Sequence, residues 1–285
     1  MIKQQNIKHK GELKMIKLLT EENKDIVLQY LEKHHIETTF LIGNVNCFGL
    51  DNNPEMRRCA DYYGYFEDKV LRGVIPFYNL GSCIPHYDSP GAIPYFAVLL
   101  RQRNFEFLLG MEKIIKPLYA HIKFSKHALE YSEDSYFVNK NFKPYYLEDV
   151  TFIDSDITSP NIIEFYKKSQ LEGFHNKTTT KQAINSLKYR SEEEDFILLK
   201  KNNKIVAEAC IQTTTSLVNQ IGGVFTSLEE RGHGYCKAIV SEICSRIVSR
   251  GKTPTLMVRK NNIPAVKAYS ALGFEYYDDY LLIKF

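Results

Sequence analysis

No stretch of this chain is apolar for long enough to cross a bilayer. The longest run, residues 92–100, falls far short of the ~20 residues a membrane helix needs. Nothing near Met1 has the apolar core of a secretory leader either, so neither a membrane nor an export route is expected. Charge of one sign is also missing. The chain carries 37 basic and 34 acidic residues, and the balance of 18 to 17 from Tyr146 onward rules out a basic body in that half. Nucleic-acid binding therefore gets no support. The six cysteines (47, 59, 83, 210, 236 and 244) include no close pair at metal-ligand spacing. They read as reduced, buried thiols of a cytoplasmic protein, not as a disulfide frame or a zinc site, and no metal is expected.

What remains is an ordinary globular composition, 44% hydrophobic and 25% charged over 285 residues. That length allows one large or two ordinary domains at roughly 100–200 residues each. Residues 1–14 are polar and basic and read as a loose tail, with Met15 opening the patterned chain. Thr20 can cap a helix reaching about His35, and Phe40-Leu41-Ile42 reads as a strand. Two strands follow, residues 62–66 and 70–78, around the polar turn Glu67-Asp68-Lys69, with Pro76 suggesting an edge or an early end. Residues 79–94 read as loop. Residues 104–122 have helical spacing, with Pro117 expected to kink or divide the helix.

After Lys143-Pro144 the pattern restarts, which divides the chain into 15–143 and 144–285. The second part reads as a strand at 150–153, a helix after the capping residues 156–160, and another from Thr178-Thr179-Thr180 to the acidic run at 192–195. Strands at 196–199, 205–213 and 217–226 complete a meander.

The densest information lies in residues 217–274. The apolar run Gln220-Ile221-Gly222-Gly223-Val224-Phe225-Thr226 leads to the hinge Arg231-Gly232-His233-Gly234. Tyr235, Ile239, Ile243 and Ile247, with Cys236, Val240, Cys244 and Val248, then recur every four residues. They predict a helix with one broad buried face, with Lys237 and Ser241 among the residues outside it and Gly251 as its stop. A glycine loop between strand and helix is a ready anion site, because the first helical amides have no partner of their own. A second block follows the strand Thr255-Leu256-Met257-Val258: Asn262, Pro264, Ala265, Tyr269, Gly273 and Phe274, a helix with Pro at its start and Gly at its end.

The hinge resembles the Gln/Arg-x-x-Gly-x-Gly/Ala motif of the GNAT superfamily of N-acetyltransferases, with Arg231 first, Gly234 fourth and Cys236 sixth. That sixth residue departs from Gly or Ala. The second block resembles the same superfamily's Asn-x-x-Ala-x-x-x-Tyr-x-x-x-Gly-Phe, with Asn262, Ala265, Tyr269, Gly273 and Phe274 in register. The resemblance covers about residues 146–285 and implies an α/β fold, a mixed, mostly antiparallel central sheet flanked by helices. The rhythm of the first half suggests a degenerate second copy in tandem.

The resemblance also implies a reaction. Acetyl-CoA would be the cosubstrate and the amine of a small molecule or peptide the acceptor. The pyrophosphate would lie on Arg231, Gly232, His233, Gly234, Tyr235 and Cys236. The pantetheine arm would pair with the backbone of Val224, Phe225 and Thr226, with Asn262 touching the cofactor or capping its helix. Tyr269 would protonate the departing thiolate. No Asp or Glu lies in residues 217–226, so Glu208, on the preceding strand, is the candidate general base. His175, Tyr276 and Tyr277 are candidates for the acceptor pocket.

Overall fold

The computed structural model describes residues 7–9, 12–153, 159–192 and 196–285. Residues 1–6 of the expected tail, the capping positions 156–158 and the acidic residues 193–195 lie outside them. The chain forms two compact units: Met1–Tyr136 together with Tyr277–Phe285, and Phe137–Tyr276. The sequence places the division at 143/144. In the structure the chain enters the second unit seven residues earlier, and the last nine residues belong to the first. Among the described residues no helix is long and apolar enough to cross a membrane, and no three His, Cys, Asp or Glu residues cluster as metal ligands.

In the first unit the chain runs β1 (Ile7–His9), β2 (Glu12–Leu18), α1 (Lys24–Lys33), α2 (Thr39–Phe48), β3 (Ala60–Glu67) and β4 (Val70–Tyr78). It continues through β5 (Ser82–Cys83), β6 (His86–Tyr87), α3 (Ala92–Gln102), β7 (Phe107–Met111), α4 (Glu112–Ile122) and β8 (Glu130–Val138). The strand order is β1-β2-β3-β4-β5-β7, then β14 (Glu275–Lys284, the last strand of the chain) and β8, with β6 beside β4. The pairings from β1 to β5, β4 with β6 and β7 with β14 are antiparallel, and β5 with β7 is parallel.

Several expectations fail here, among them the loop at 79–94, which contains β5, β6 and the start of α3. Residues 7–9 pair antiparallel with residues 12–14, so they are strand residues and not a loose tail. Residues 40–42 lie in helix α2, where Leu41, Ile42 and Val45 bury one face at helical spacing. A three-residue apolar run cannot by itself distinguish strand from buried helix. Residues 104–122 split into β7 and α4: Phe107–Met111 are claimed as a strand by β5 and β14, a pairing with residues far along the chain. Pro117 lies inside α4 without dividing it. The hairpin β3–β4 turns at Asp68 and Lys69, both with positive φ, and continues through Pro76, which stands opposite Tyr62.

The second unit runs β9 (Val150–Ile153), α5 (Pro160–Phe174), α6 (Thr180–Glu192), β10 (Phe196–Lys201), β11 (Lys204–Thr214), β12 (Val218–Thr226), α7 (Tyr235–Ser249), β13 (Thr253–Arg259) and α8 (Ile263–Ala271). Strands β9 to β12 pair antiparallel in order, and β13 joins β12 in parallel. Alternation along β10 assigns the helices to opposite faces. Leu198 packs with Ile162, Phe165, Tyr166 and Leu187 of α5 and α6, whereas Ile197 and Leu199 pack with Ile239, Ile243 and Ile247 of α7. Helix α6 opens with a reciprocal cap. The Thr179 hydroxyl accepts from the Gln182 amide, and the Gln182 carbonyl oxygen accepts from the Thr179 amide. Gly251 follows α7 at φ 72° and its amide donates to Val248 O, so it stops the helix as the sequence expects.

From β2 to β8 the chain runs strand, two helices, strands, helix, strand, helix, strand, and it repeats that order from β9 to β14, whose last residues return to the first unit. Each unit also contains one parallel strand pair, β5–β7 and β12–β13, just where a helix connects the two strands.

Candidate active site

The parallel pair β12–β13 is in register only from Val218–Thr253 to Ile221–Leu256. Beyond that point the strands part. The cause lies on the other side of β12: Cys210 stands opposite Gly222 and Glu208 opposite Phe225, so Gly223 and Val224 together face Ala209 alone. Such a bulge bends the strand and increases its twist. It is built on Gly223 at φ 59°, the left-handed conformation that glycine adopts without a steric penalty. The result is a V-shaped gap along which Gly222, Gly223 and Val224 are half-buried. Here β12 presents backbone groups that β13 does not pair, an edge that an extended amide-bearing ligand can complete. Thr226, at the end of this edge, is 9% exposed, and its hydroxyl has no partner among the described residues.

From Thr226 a short turn leads through Arg231, whose Nε reaches the Thr226 carbonyl at 3.4 Å, to Gly232 and Gly234. Gly234 is the N-cap of α7 at φ 82° with no side chain to cap the helix. The first amide bonded back to the loop is that of Ala238, onto Gly234 O. No acceptor among the described residues meets the amides of Gly232 to Lys237. The gap therefore opens onto an uncapped helix end, which favours an anion by roughly 0.3–1 kcal/mol and up to ~2 kcal/mol when partly buried. His233 is exposed, and its ring stacks on Tyr235 at 5.6 Å. The neighbouring carboxylates do not oppose an anion here. Lys168 bonds Glu229 at 2.7 Å and holds its carboxyl down at about 2, and Lys204 bonds Glu230 at 2.7 Å.

The family model described as FR47-like protein matches residues 197–283, from the second residue of β10 to the last but one of β14. An acetyltransferase of the GNAT family from Colwellia psychrerythraea has a similar structure, with a TM-score of 0.60 at 14% identity, covering 95% of this chain and 99% of that one. A GCN5-related N-acetyltransferase from Sphaerobacter thermophilus gives 0.61 at 12%, covering 95% of each. A tandem GNAT protein from the clavulanic acid biosynthesis pathway gives 0.54 at 11%, covering 95% and 97%. No curated protein matches the chain closely enough to count. Residues 197–283 resemble the FR47-like family, and the fold is the GNAT fold.

Within that fold the remaining candidates occupy separate positions. Asn262 is the N-cap of α8, and its side chain accepts from the Ala265 amide at 3.4 Å. Tyr269 is 5% exposed and packs with Phe274, Leu256 and α7. Its hydroxyl lies against the Cys236 thiol. Burial pushes the phenol well above its usual range and the Cys236 thiol up to about 11, so both are protonated at neutral pH. The sixth motif residue, cysteine in place of Gly or Ala, thus touches the motif's tyrosine.

Glu208 is 1% exposed and sits on the face of α5, where Ser169 Oγ donates to its Oε1 at 2.5 Å. Tyr269 lies on the face of α7, so the two candidates for proton transfer flank β12 from opposite sides, with Glu208 directly opposite Phe225. An open depression of about 850 Å³ on the α5 face is lined by Ile162, Phe165, Lys168, Lys204 and Ser227. His175 ends α5 in a left-handed conformation and is exposed. Tyr276 is 56% exposed, while Tyr277 belongs to the first unit and donates to Glu37 Oε1 at 2.6 Å.

Sequence reasoning missed Ser169, the Gly223 bulge and Tyr145. Ser241, expected on the outer face of α7, is 3% exposed because its Oγ accepts from the Tyr145 amide at 2.8 Å. Val248, expected inside, is 43% exposed.

Proposed function

We propose that the second unit transfers an acetyl group from acetyl-CoA to a primary amine in a ternary complex. The observation that carries this reading is the gap between β12 and β13 ending at the uncapped N-terminus of α7. An extended thioester with a diphosphate at one end suits that geometry. The amides from Gly232 to Cys236, with Arg231 and His233, take the diphosphate. The backbone of Val224, Phe225 and Thr226 pairs with the pantetheine amides, and Asn262 holds α8 at the gap.

The chemistry then needs two proton transfers. The amine nitrogen attacks the thioester carbonyl as a C–N bond forms. Its proton leaves through water to Glu208, whose carboxylate the Ser169 hydroxyl orients. The C–S bond breaks on collapse of the tetrahedral intermediate, and Tyr269 donates its phenolic proton to the departing thiolate. Its burial keeps that proton in place at neutral pH, so the phenol arrives as a donor. A thiol held near 11 at Cys236 is a poor nucleophile, which favours direct attack over an acyl-enzyme.

Thiol release from acetyl-CoA in the presence of a mixed panel of amines tests the reading, with Tyr269→Phe as the comparison. The parent should release CoA with at least one amine. Removal of the hydroxyl should cost ~10²–10⁴ in turnover, the usual worth of a positioned acid, with CoA affinity and melting temperature nearly unchanged. Equal turnover would make Tyr269 a packing residue. CoA binding without release for any amine would mark a CoA-responsive binding module, and release only from longer acyl-CoA would mark transfer of a different group.

A further inference from the structure

The segment that enters the second unit, residues 137–147, is tied across α7 and α8. The Asn139 amide donates to Pro254 O at 2.9 Å and its side-chain amide to Leu272 O at 3.0 Å. The Lys143 amide donates to Leu272 O at 2.9 Å, and the Tyr145 amide to Ser241 Oγ at 2.8 Å. Phe142, Tyr145 and Leu147 pack onto the core beneath α7 and α8. These ties bring the Tyr145 side chain over the start of α7. Its hydroxyl lies 2.8 Å from where a Cβ on Gly234 would stand, so it sits directly against the phosphate loop. That hydroxyl has no hydrogen-bond partner among the described residues. Lys237, one turn into α7, lays its ammonium 3.7 Å from the centre of the Tyr145 ring and pairs with no carboxylate among the described residues.

A phenol held by its own backbone, against a run of unpartnered amides and under an unpaired ammonium, adds two donors to an anion cradle. We propose that Tyr145 and Lys237 complete the diphosphate grip of the acyl-CoA site, the phenol as a hydrogen-bond donor and the lysine as a charge that also polarises the phenol from its ring face. This rests on the acyl-CoA reading of the second unit. It assigns affinity for the cosubstrate to a segment outside both sequence motifs, 96 residues before the helix residue that anchors it. It also gives Gly234 a second reason to lack a side chain: a Cβ there would displace the phenol as well as block the approach of phosphate.

The test is titration of the full chain with CoA and, separately, with pantetheine, which has the arm but no phosphate. Tyr145→Phe keeps the ring and loses no hydrogen bond within the protein, so its melting temperature should match the parent's. A hydrogen bond to a charged group is worth enough for CoA to bind about tenfold more weakly or worse. Pantetheine should bind parent and variant alike. Lys237→Met keeps the apolar stem and should weaken CoA similarly while flattening the dependence on salt. CoA affinity unchanged in both variants overturns the assignment and leaves the acyl-CoA reading standing. A parent that binds no CoA at all overturns both.

Discussion

Cys236 and Tyr269 show how one substitution in a motif propagates into chemistry. The thiol that replaces a smaller residue touches the phenol, and burial raises both groups above their ordinary ranges. The pH consequence follows from the sign of those shifts. In the unfolded chain a cysteine titrates near 9.0, whereas folded Cys236 holds its proton to about 11. Its contribution to stability is complete below pH 9 and is lost as pH rises to 11. At ~1.4 kcal/mol per unit, this one thiol accounts for about 2–3 kcal/mol of alkaline destabilisation. Thermal scans from pH 8 to 11 should therefore fall less steeply for Cys236→Ala than for the parent. Parallel curves would mean that the thiol ionises as freely in the folded protein as in the unfolded chain.

Among the elements, the strap at residues 137–147 and the bulge in β12 do the positioning. Gly273 shows the strap's demand on sequence. It stands at φ 92°, and a Cβ there would collide with the backbone carbonyl of Asn141. The backbone cannot swing aside as a flexible side chain can. Gly273→Ala should lower stability by at least the ~1–3 kcal/mol typical of a residue forced into such a conformation. It should also weaken CoA, because the strap carries Tyr145. Denaturant unfolding and CoA titration check the pair, and a variant as stable as the parent would show that the strap is free to move.

The legibility of the sequence divides along the same line. The α7 loop and the Asn262–Phe274 block were readable because caps, helix stops and left-handed glycines are local signals. The Tyr145–Ser241 and Ser169–Glu208 bonds join residues 96 and 39 positions apart, and no local pattern marks them. Strand β7 was hidden for the same reason: its apolar residues fit a helix until β5 and β14 are there to pair with them. Even Ser241, read as surface from its place on the helix, is buried by a segment the helix pattern does not contain.

At the scale of the molecule, two units share an order of elements but differ at the helix that would receive a phosphate. In the second, α7 begins with unpartnered amides. In the first, α3 begins at Gly91, where a Cβ would meet the carboxylate of Glu67, which also accepts from Tyr65 and Ser89 hydroxyls at 2.8 and 2.9 Å. The amides of Gly91, Ala92 and Ile93 there already bond Ser89 Oγ, Ser89 O and Pro90 O, with a carboxylate close by. The central claim is therefore a single acyl-CoA site per chain, at the start of α7, and calorimetric titration of the full chain with CoA tests it most directly, with Gly234→Glu alongside. The substitution strains a backbone at φ 82° and sets a carboxylate where the diphosphate should lie. The account predicts one CoA bound per parent chain and binding weakened at least tenfold in a variant that remains folded. Undiminished affinity in the folded variant, or two CoA molecules per parent chain, would contradict it.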